Sequence, residues 1–183
     1  MIKVSEGNYV HYLPIFLRRF KMGTITYITG DATNPIDFNN KIICHICNDI
    51  GLWGKGFVLA LSKKWKKPEN NYRNLSKSYS NIYSNTIKLG LVQFIKVESD
   101  IWVANMISQH RIYTVKQQEP PIRYDALEIC LDKVADFAIE NNASIHCPRI
   151  GAGLAGGEWT KIVFLLEKCL CKKGINIYVY DLP

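Results

Sequence analysis

The sequence predicts a single α/β domain in which a mixed sheet lies between helix layers. Three observations carry this: short apolar runs of strand length alternate with amphipathic segments of helical period, two such runs lie side by side in mid-chain, and two glycine-rich loops each follow a run and precede a helix. A chain of 183 residues is long enough to bury one substantial core. It contains no repeat, no low-complexity tract and no internal linker.

The elements follow in order. TITYIT (24–29) is rich in β-branched and aromatic residues and ends at Gly30, a strand running into a loop. KIICHIC (41–47) is nearly all apolar, the pattern of a strand covered on both faces. From Gly56, FVLALSKKW reads as a helix that breaks at Pro68, and residues 69–83 read as a polar helix ending before Gly90. LVQFIKV (91–97) and IWVANMI (101–107) are strands joined by a tight turn at Glu98, Ser99 and Asp100. A polar loop over 108–121 leads to the clearest helix, in which Leu127, Leu131, Val134 and Ala138 recur at helical spacing. SIHCPRI (144–150) is a strand and GAGLAGG (151–157) a loop; residues 158–173 form a helix capped by Gly174, and INIYVYDL (175–182) is the closing strand.

Composition narrows the functional classes. With 48% hydrophobic and 21% charged residues the chain is neither disordered nor membrane-like. Lys and Arg number 23 against 16 Asp and Glu, a net charge of +7 that favours an anionic partner. The one basic cluster, SKKWKK (62–67), reads as a solvated helix face, and no aromatic-interleaved basic stripe accompanies it. Cys44, Cys47, Cys130, Cys147, Cys169 and Cys171 sit mostly in apolar runs with no secretory signal before them. They are expected to be free thiols in an intracellular protein, cytoplasmic or, in a eukaryote, nuclear. The lone CxxC at 44–47 has no second pair at ribbon spacing, so no metal site is expected. YLPIFLRRFK (12–21) is too short to span a bilayer and carries its basic residues after the apolar ones, so no membrane association is expected. Residues 1–22 are read as an N-terminal extension, either disordered or the product of a start codon assigned upstream of Met22, and 23–183 as the domain.

The two glycine-rich loops occupy equivalent topological places, after an apolar strand and before a helix. In open α/β sheets such loops gather at the carboxyl ends of the strands, where ligands bind. Glycine lets backbone N–H groups approach an oxyanion closely, and the following helix N-terminus adds a favourable dipole. Two such loops at one edge can grip a diphosphate from both sides. Neither GxxxxGK[ST] nor G-x-G-x-x-G is present, and glycines serving only tight turns and helix packing remain the alternative reading.

ITYITGDAT (25–33), HICNDIGLWGKGFVLALSKKW (45–65), VANMISQH (103–110) and PRIGAGLAGGEW (148–159), in this order, resemble the macrodomains, and most of all the branch of terminal ADP-ribose glycohydrolases and Appr-1''-P phosphatase-like proteins. The resemblance covers residues 24–182. It implies a three-layer α/β/α fold with a central mixed sheet, binding ADP-ribose in a cleft at the sheet edge, with no cofactor beyond ADP-ribose as ligand or product. Asp31, with Ala32 beside it, matches the acidic position that accepts a hydrogen bond from the adenine amino group, though a carboxylate at a strand end also serves as a turn cap. Gly151, Ala152, Gly153 and Leu154, continuing to Ala155 and Gly156, match the loop whose backbone cradles the diphosphate. Asn48, Gly54, Lys55, Gly56 and Phe57 match the loop around the distal ribose, and Tyr180 is placed near the adenine or else in the core.

In the terminal glycohydrolases a Lys at the end of the strand matching VANMISQH attacks the opened ribose, and an Asp in the second glycine loop assists. This chain has Ser108 or Gln109 for the Lys and Ala155 for the Asp, so the resemblance implies cleavage without that pair. Positioning a water and stabilising developing charge can suffice. Asp49, Lys55, Gln109, His110 and Glu158 are the polar groups available to contribute, each with an ordinary structural role as its alternative. His45 matches a His of the phosphatase-like members and is a candidate acid or nucleophile at a terminal phosphate, or else a satisfied core histidine. Three functions follow: a hydrolase, with partner an ADP-ribosylated protein or nucleic acid; a non-catalytic reader of ADP-ribose; and a basic nucleic-acid-binding domain with structural glycines. The protein is expected to be a monomer.

Overall fold

The computed structural model describes residues 3–6, 9–12, 21–37, 39–80, 86–114 and 119–183. Strand β1 (Lys3–Glu6) pairs antiparallel with β2 (Tyr9–Tyr12) in a sheet of its own; of the extension expected over 1–22, residues 1–2, 7–8 and 13–20 lie outside the described residues. The main chain then runs through β3 (Ile25–Thr29), β4 (Asn40–Asn48), α1 (Phe57–Lys64), α2 (Lys67–Ser80), β5 (Val92–Lys96) and β6 (Ile101–Gln109). It continues with α3 (Tyr124–Glu140), β7 (Ala143–Pro148), α4 (Trp159–Cys169), a 3-10 turn (Cys171–Lys173) and β8 (Ile177–Asp181). The six-stranded sheet has the order β3-β8-β7-β4-β6-β5 and is parallel except for the antiparallel pair β5–β6. The predicted mixed sheet is therefore present, and its antiparallel pair is the one joined by the short 98–100 turn, since only an antiparallel neighbour can be reached so briefly.

Strand β4 sits at the centre and its residues alternate between two cores. Ile42 and Cys44 pack with Leu127, Leu131 and Val134 of α3 and Ile162 and Leu166 of α4. Ile43 and Cys47 pack on the other side with Leu61 of α1 and Tyr72 of α2. Burial of both faces explains the uninterrupted apolar run read in the sequence. All six cysteines are buried and free; Cys147, for example, has its pKa pushed up to about 12 by burial.

Two of the element boundaries that differ from expectation have a direct physical cause. Pro68 lies inside the first turn of α2 rather than ahead of it, because the first N–H groups of a helix have no intrahelical partner and proline loses nothing there. The expected helix over 158–173 ends at Cys169 and tightens into the 3-10 turn, which Gly174 closes at φ +83°. Residues 81–83 of the expected second helix lie outside the described residues.

Candidate functional site

A cleft of about 710 Å³ opens over the carboxyl ends of β4, β6 and β7, walled by the two glycine-rich loops. This is where an open α/β sheet gathers ligands. Its charged lining residues are Lys55 and Arg149; among the described residues no carboxylate lines it.

The first loop is held from below. Asn48 ends β4, and its Oδ1 accepts the N–H groups of Ile50 (3.2 Å) and Leu52 (3.0 Å) while its Nδ2 donates to the Leu52 carbonyl at 2.6 Å. The Tyr72 hydroxyl, from α2, lies 2.6 Å from the Asn48 carbonyl oxygen and 2.9 Å from Oδ1. Trp53 donates its indole N–H to Ser62 Oγ at 2.8 Å, Ser62 donates to Glu69 Oε2 at 2.7 Å, and Arg73 binds both Glu69 Oε1 and the Trp53 carbonyl. The Ser62 hydroxyl, helped by Arg73, holds the Glu69 carboxyl below the usual carboxylate range. Gly51 is required by space as well as by its φ of +75°, because a Cβ there would sit 2.1 Å from Ser76 Oγ.

The second loop turns at Gly151, where φ is +74° and a Cβ would meet Ile122 Cδ1 at 2.7 Å. Gly54 and Gly153 are different: both line the cleft, neither has a left-handed φ, and a Cβ on either would meet nothing within 4 Å. The space beside them belongs to whatever enters. The backbone N–H groups of Gly153, Leu154 and Ala155 donate to no acceptor among the described residues, although all three residues line the cleft and Ala155 is buried. Consecutive amides without a protein acceptor are available to a bound anion. Leu154 spans towards the first loop, its Cδ1 lying 3.4 Å from where a Cβ on Gly56 would be.

At the floor, His45 donates from Nε2 to Asn105 Oδ1 at 2.6 Å, because Asn105 Nδ2 is already committed to the Pro68 carbonyl and Gln93 Oε1. The Trp53 ring stands edge-on to the imidazole at 5.3 Å. Burial lowers the His45 pKa to about 4, so the ring is neutral at pH 7 and cannot serve there as an acid. At the end of β6 the register with β4 passes from Cys47–Ile107 to Asn48–Gln109, which makes Ser108 an extra, bulged residue. Its hydroxyl is the one buried side-chain polar atom without a partner among the described residues. The bulge delivers Gln109 to the cleft wall.

Asp49 does not reach that wall. Its carboxylate is buried and each oxygen has a partner, with Oδ2 2.6 Å from His110 Nδ1 and Oδ1 accepting the Arg111 N–H at 2.7 Å. The group is anchored to its neighbours, and Asp49, expected among the reacting groups, is not one of the residues that line the cleft. Arg111 stands at φ +57°, a left-handed conformation that costs a side-chain-bearing residue about 1–2 kcal/mol. Its carbonyl accepts Gln109 Nε2 at 2.8 Å.

Of the expected ligand residues, Asn48, Gly54, Lys55, Gly56, Phe57, Gly151, Gly153, Leu154 and Ala155 line the cleft together with His45 and Gln109. Asp31, Ala32, Ala152, Gly156 and Tyr180 do not. Asp31 caps its own turn, accepting the Thr33 N–H at 2.8 Å and the Thr33 hydroxyl at 2.9 Å, and Ala32 is buried. Tyr180 is buried, and its hydroxyl accepts the Ile36 N–H at 3.0 Å and lies 2.9 Å from His146 Nδ1. Glu158 is also outside the cleft, paired with Lys161 at 2.5 Å. Sequence reasoning missed Arg149, whose guanidinium is bidentate to Asp181 at 2.7 Å and lies 5.2 Å from the centre of the Tyr27 ring and 5.3 Å from that of Trp159. It also missed the apolar wall residues Leu52, Ile112 and Tyr113. An Arg directly ahead of the second glycine loop was the available signal for the first; the wall residues lie in loops without periodicity. Among the described residues no group of three or more His, Cys, Asp or Glu is placed to hold a metal ion, and no helix is long and apolar enough to cross a membrane.

No family model matches the chain. Individual proteins do. Over 170 residues it is 30% identical to the chromodomain-helicase-DNA-binding protein 1-like of Mus musculus, matching with 87% of its own length but spanning only 18% of that protein's. It is 30% identical over 164 residues to the ADP-ribose 1''-phosphate phosphatase of Candida albicans, with 85% of this chain and 99% of that protein covered. Among solved structures, a macrodomain protein from Streptomyces coelicolor superposes with a TM-score of 0.74 at 46% identity, covering 86% of this chain and 99% of that one. With its strand order, its two glycine loops on one cleft and full-length relatives of this similarity, the chain belongs to the macrodomain family.

Proposed function

We propose that the cleft binds ADP-ribose and that the protein is a hydrolase removing ADP-ribose from modified protein or nucleic acid. The observation that carries this reading is the row of unpaired amides at Gly153, Leu154 and Ala155 in a cleft with no lining carboxylate. These donors suit a diphosphate, and Lys55, a cation without a hydrogen-bond or ion-pair partner among the described residues, adds attraction from the opposite loop. The distal ribose then lies against Gly54, Gly56 and Phe57, and the adenine extends towards Asp31, whose carboxylate retains unused lone pairs.

For the chemistry, Gln109 is the polar side chain best placed to orient water. Its Nε2 is held by the Arg111 carbonyl, so Oε1 remains as a free acceptor at the cleft wall. Water adds to the distal anomeric carbon as its bond to the acceptor breaks, and the departing acceptor takes the proton, since an amide is no base. A non-catalytic reader is the second reading, favoured by the absence of a carboxylate from the lining. The Candida relative's name adds a terminal phosphate as a third leaving group to assay, with neutral His45 available as a nucleophile but not as an acid.

Calorimetric titration with ADP-ribose, together with release assays on modified protein, modified nucleic acid and ADP-ribose 1''-phosphate, tests the proposal. Gly153→Val, which meets no protein atom within 4 Å at Cβ, is expected to abolish binding with an unchanged Tm. Gln109→Ala is expected to keep binding and to lose turnover by about tenfold to a hundredfold. Binding without turnover on any substrate establishes the reader; no binding by the wild type overturns both.

A further inference from the structure

We propose that Asp49 is a positioning residue that acts through the strained peptide of Arg111 to set the Gln109 carboxamide, and with it the water-orienting oxygen, at the wall of the cleft. The inference rests on the reading that Gln109 orients water.

The chain of contacts is continuous. Asp49 lies at the junction of the first glycine loop and the end of β6: its N–H donates to the Gln109 carbonyl at 2.9 Å, and its carbonyl accepts the Ile87 N–H at 2.6 Å. From that fixed base the buried carboxylate reaches across to the next loop and takes the Arg111 N–H at 2.7 Å and His110 Nδ1 at 2.6 Å. An N–H bonded to a buried carboxylate is a strong, charge-assisted contact, and here it holds a residue in a backbone region that arginine otherwise avoids. Holding φ at +57° turns the Arg111 carbonyl back onto Gln109 Nε2 at 2.8 Å. That bond decides which end of the carboxamide is committed and which is free. In the relaxed conformation the carbonyl turns elsewhere, and the Gln109 side chain regains its rotamers.

The bulge at Ser108 completes the arrangement. Without the extra residue, Gln109 would shift by one position, and its side chain would point to the opposite face of the sheet. The bulge therefore aims the residue, and Asp49 fixes its amide.

The test compares Asp49→Ala and Asp49→Asn, each alone and combined with Arg111→Gly. Two readouts are used: the side-chain carboxamide NMR resonances of Gln109, identified by their loss in Gln109→Ala, and steady-state kinetics beside ADP-ribose affinity. In Asp49→Ala the Gln109 resonances are expected to move to solvent-exposed values. kcat is expected to fall at least about tenfold while the Kd for ADP-ribose stays within about threefold. Arg111→Gly is expected to restore the resonances and part of kcat, because glycine adopts the left-handed conformation without penalty. A residue serving stability alone would not be rescued in this way. Where Asp49→Ala does not fold, Asp49→Asn, which keeps the volume and one carbonyl acceptor, carries the test with a smaller shift in the same direction. Gln109 resonances unchanged in the Asp49 variants, or no rescue by Arg111→Gly in a folded protein, overturn the proposal. A wild type that turns over none of the substrates overturns the hydrolase reading instead, and the resonances still decide the role of Asp49.

Discussion

His45 and His146 lie on β4 and β7, and both are almost wholly enclosed. For His146, Ser144 Oγ stands 2.9 Å from Nε2, Tyr180 Oη lies 2.9 Å from Nδ1, and the Tyr178 ring stacks at 4.8 Å. Burial lowers the pKa of each to about 4, below the 6.5 of an exposed imidazole. Between these values the unfolded chain binds protons that the folded chain refuses. Stability is therefore fully present above pH 6.5 and is lost as pH falls towards 4, by about 3 kcal/mol from each residue. Urea unfolding at about pH 7 and about pH 4.5 should show that loss, and His146→Gln should remove about half of the slope. The same contacts explain why Tyr180 is absent from the cleft wall: its hydroxyl ties Ile36, and so the segment after Asp31, to the sheet.

The first glycine loop, α1 and the start of α2 behave as one element because Ser62 joins them. Its hydroxyl accepts the Trp53 indole N–H and donates to Glu69, which in turn holds Arg73 against the Trp53 carbonyl. Ser62→Ala leaves a buried indole N–H and a carboxylate each short of one bond, at a cost of about 1–3 kcal/mol. Denaturant titration should show that cost, and calorimetry should show ADP-ribose binding weakened as well, since Trp53 and Gly54 line the cleft. Unchanged affinity in a destabilised variant would mean that the loop keeps its shape without the network.

Across the whole molecule the helix charge is uneven, basic over α1 and α2 in one layer and acidic on α3 in the other. Residues 57–80 carry Lys63, Lys64, Lys66, Lys67, Arg73 and Lys77 against Glu69, while α3 carries Asp125, Glu128, Asp132, Asp136 and Glu140 against Lys133. The cleft opens at the strand ends between these layers, with Lys55 at the start of the basic one. An anionic ligand should consequently bind more weakly as salt rises from about 0.1 M to about 1 M, where the screening length falls from about 10 Å to about 3 Å. Lys55→Ala should weaken binding and flatten that dependence. A salt dependence equal in wild type and variant would place Lys55 outside the ligand's field.

The sequence by itself determined the order and type of the elements, because hydrophobic period and glycine punctuation are local properties of the backbone. KIICHIC reads as a doubly buried strand, and the Leu127–Ala138 stripe as a helix, with no knowledge of what they touch. It also located both cleft loops, since each follows a buried strand. Only the tertiary structure decided the strand order that sets those loops beside one another, and the partners that each polar group spends its hydrogen bonds on. Asp49 meets His110 across 61 residues of chain, and Asn105 selects the donating nitrogen of His45 across 60. No local pattern encodes such pairings. They arise when burial forces a polar group to find a partner within reach, and reach is a property of the folded chain.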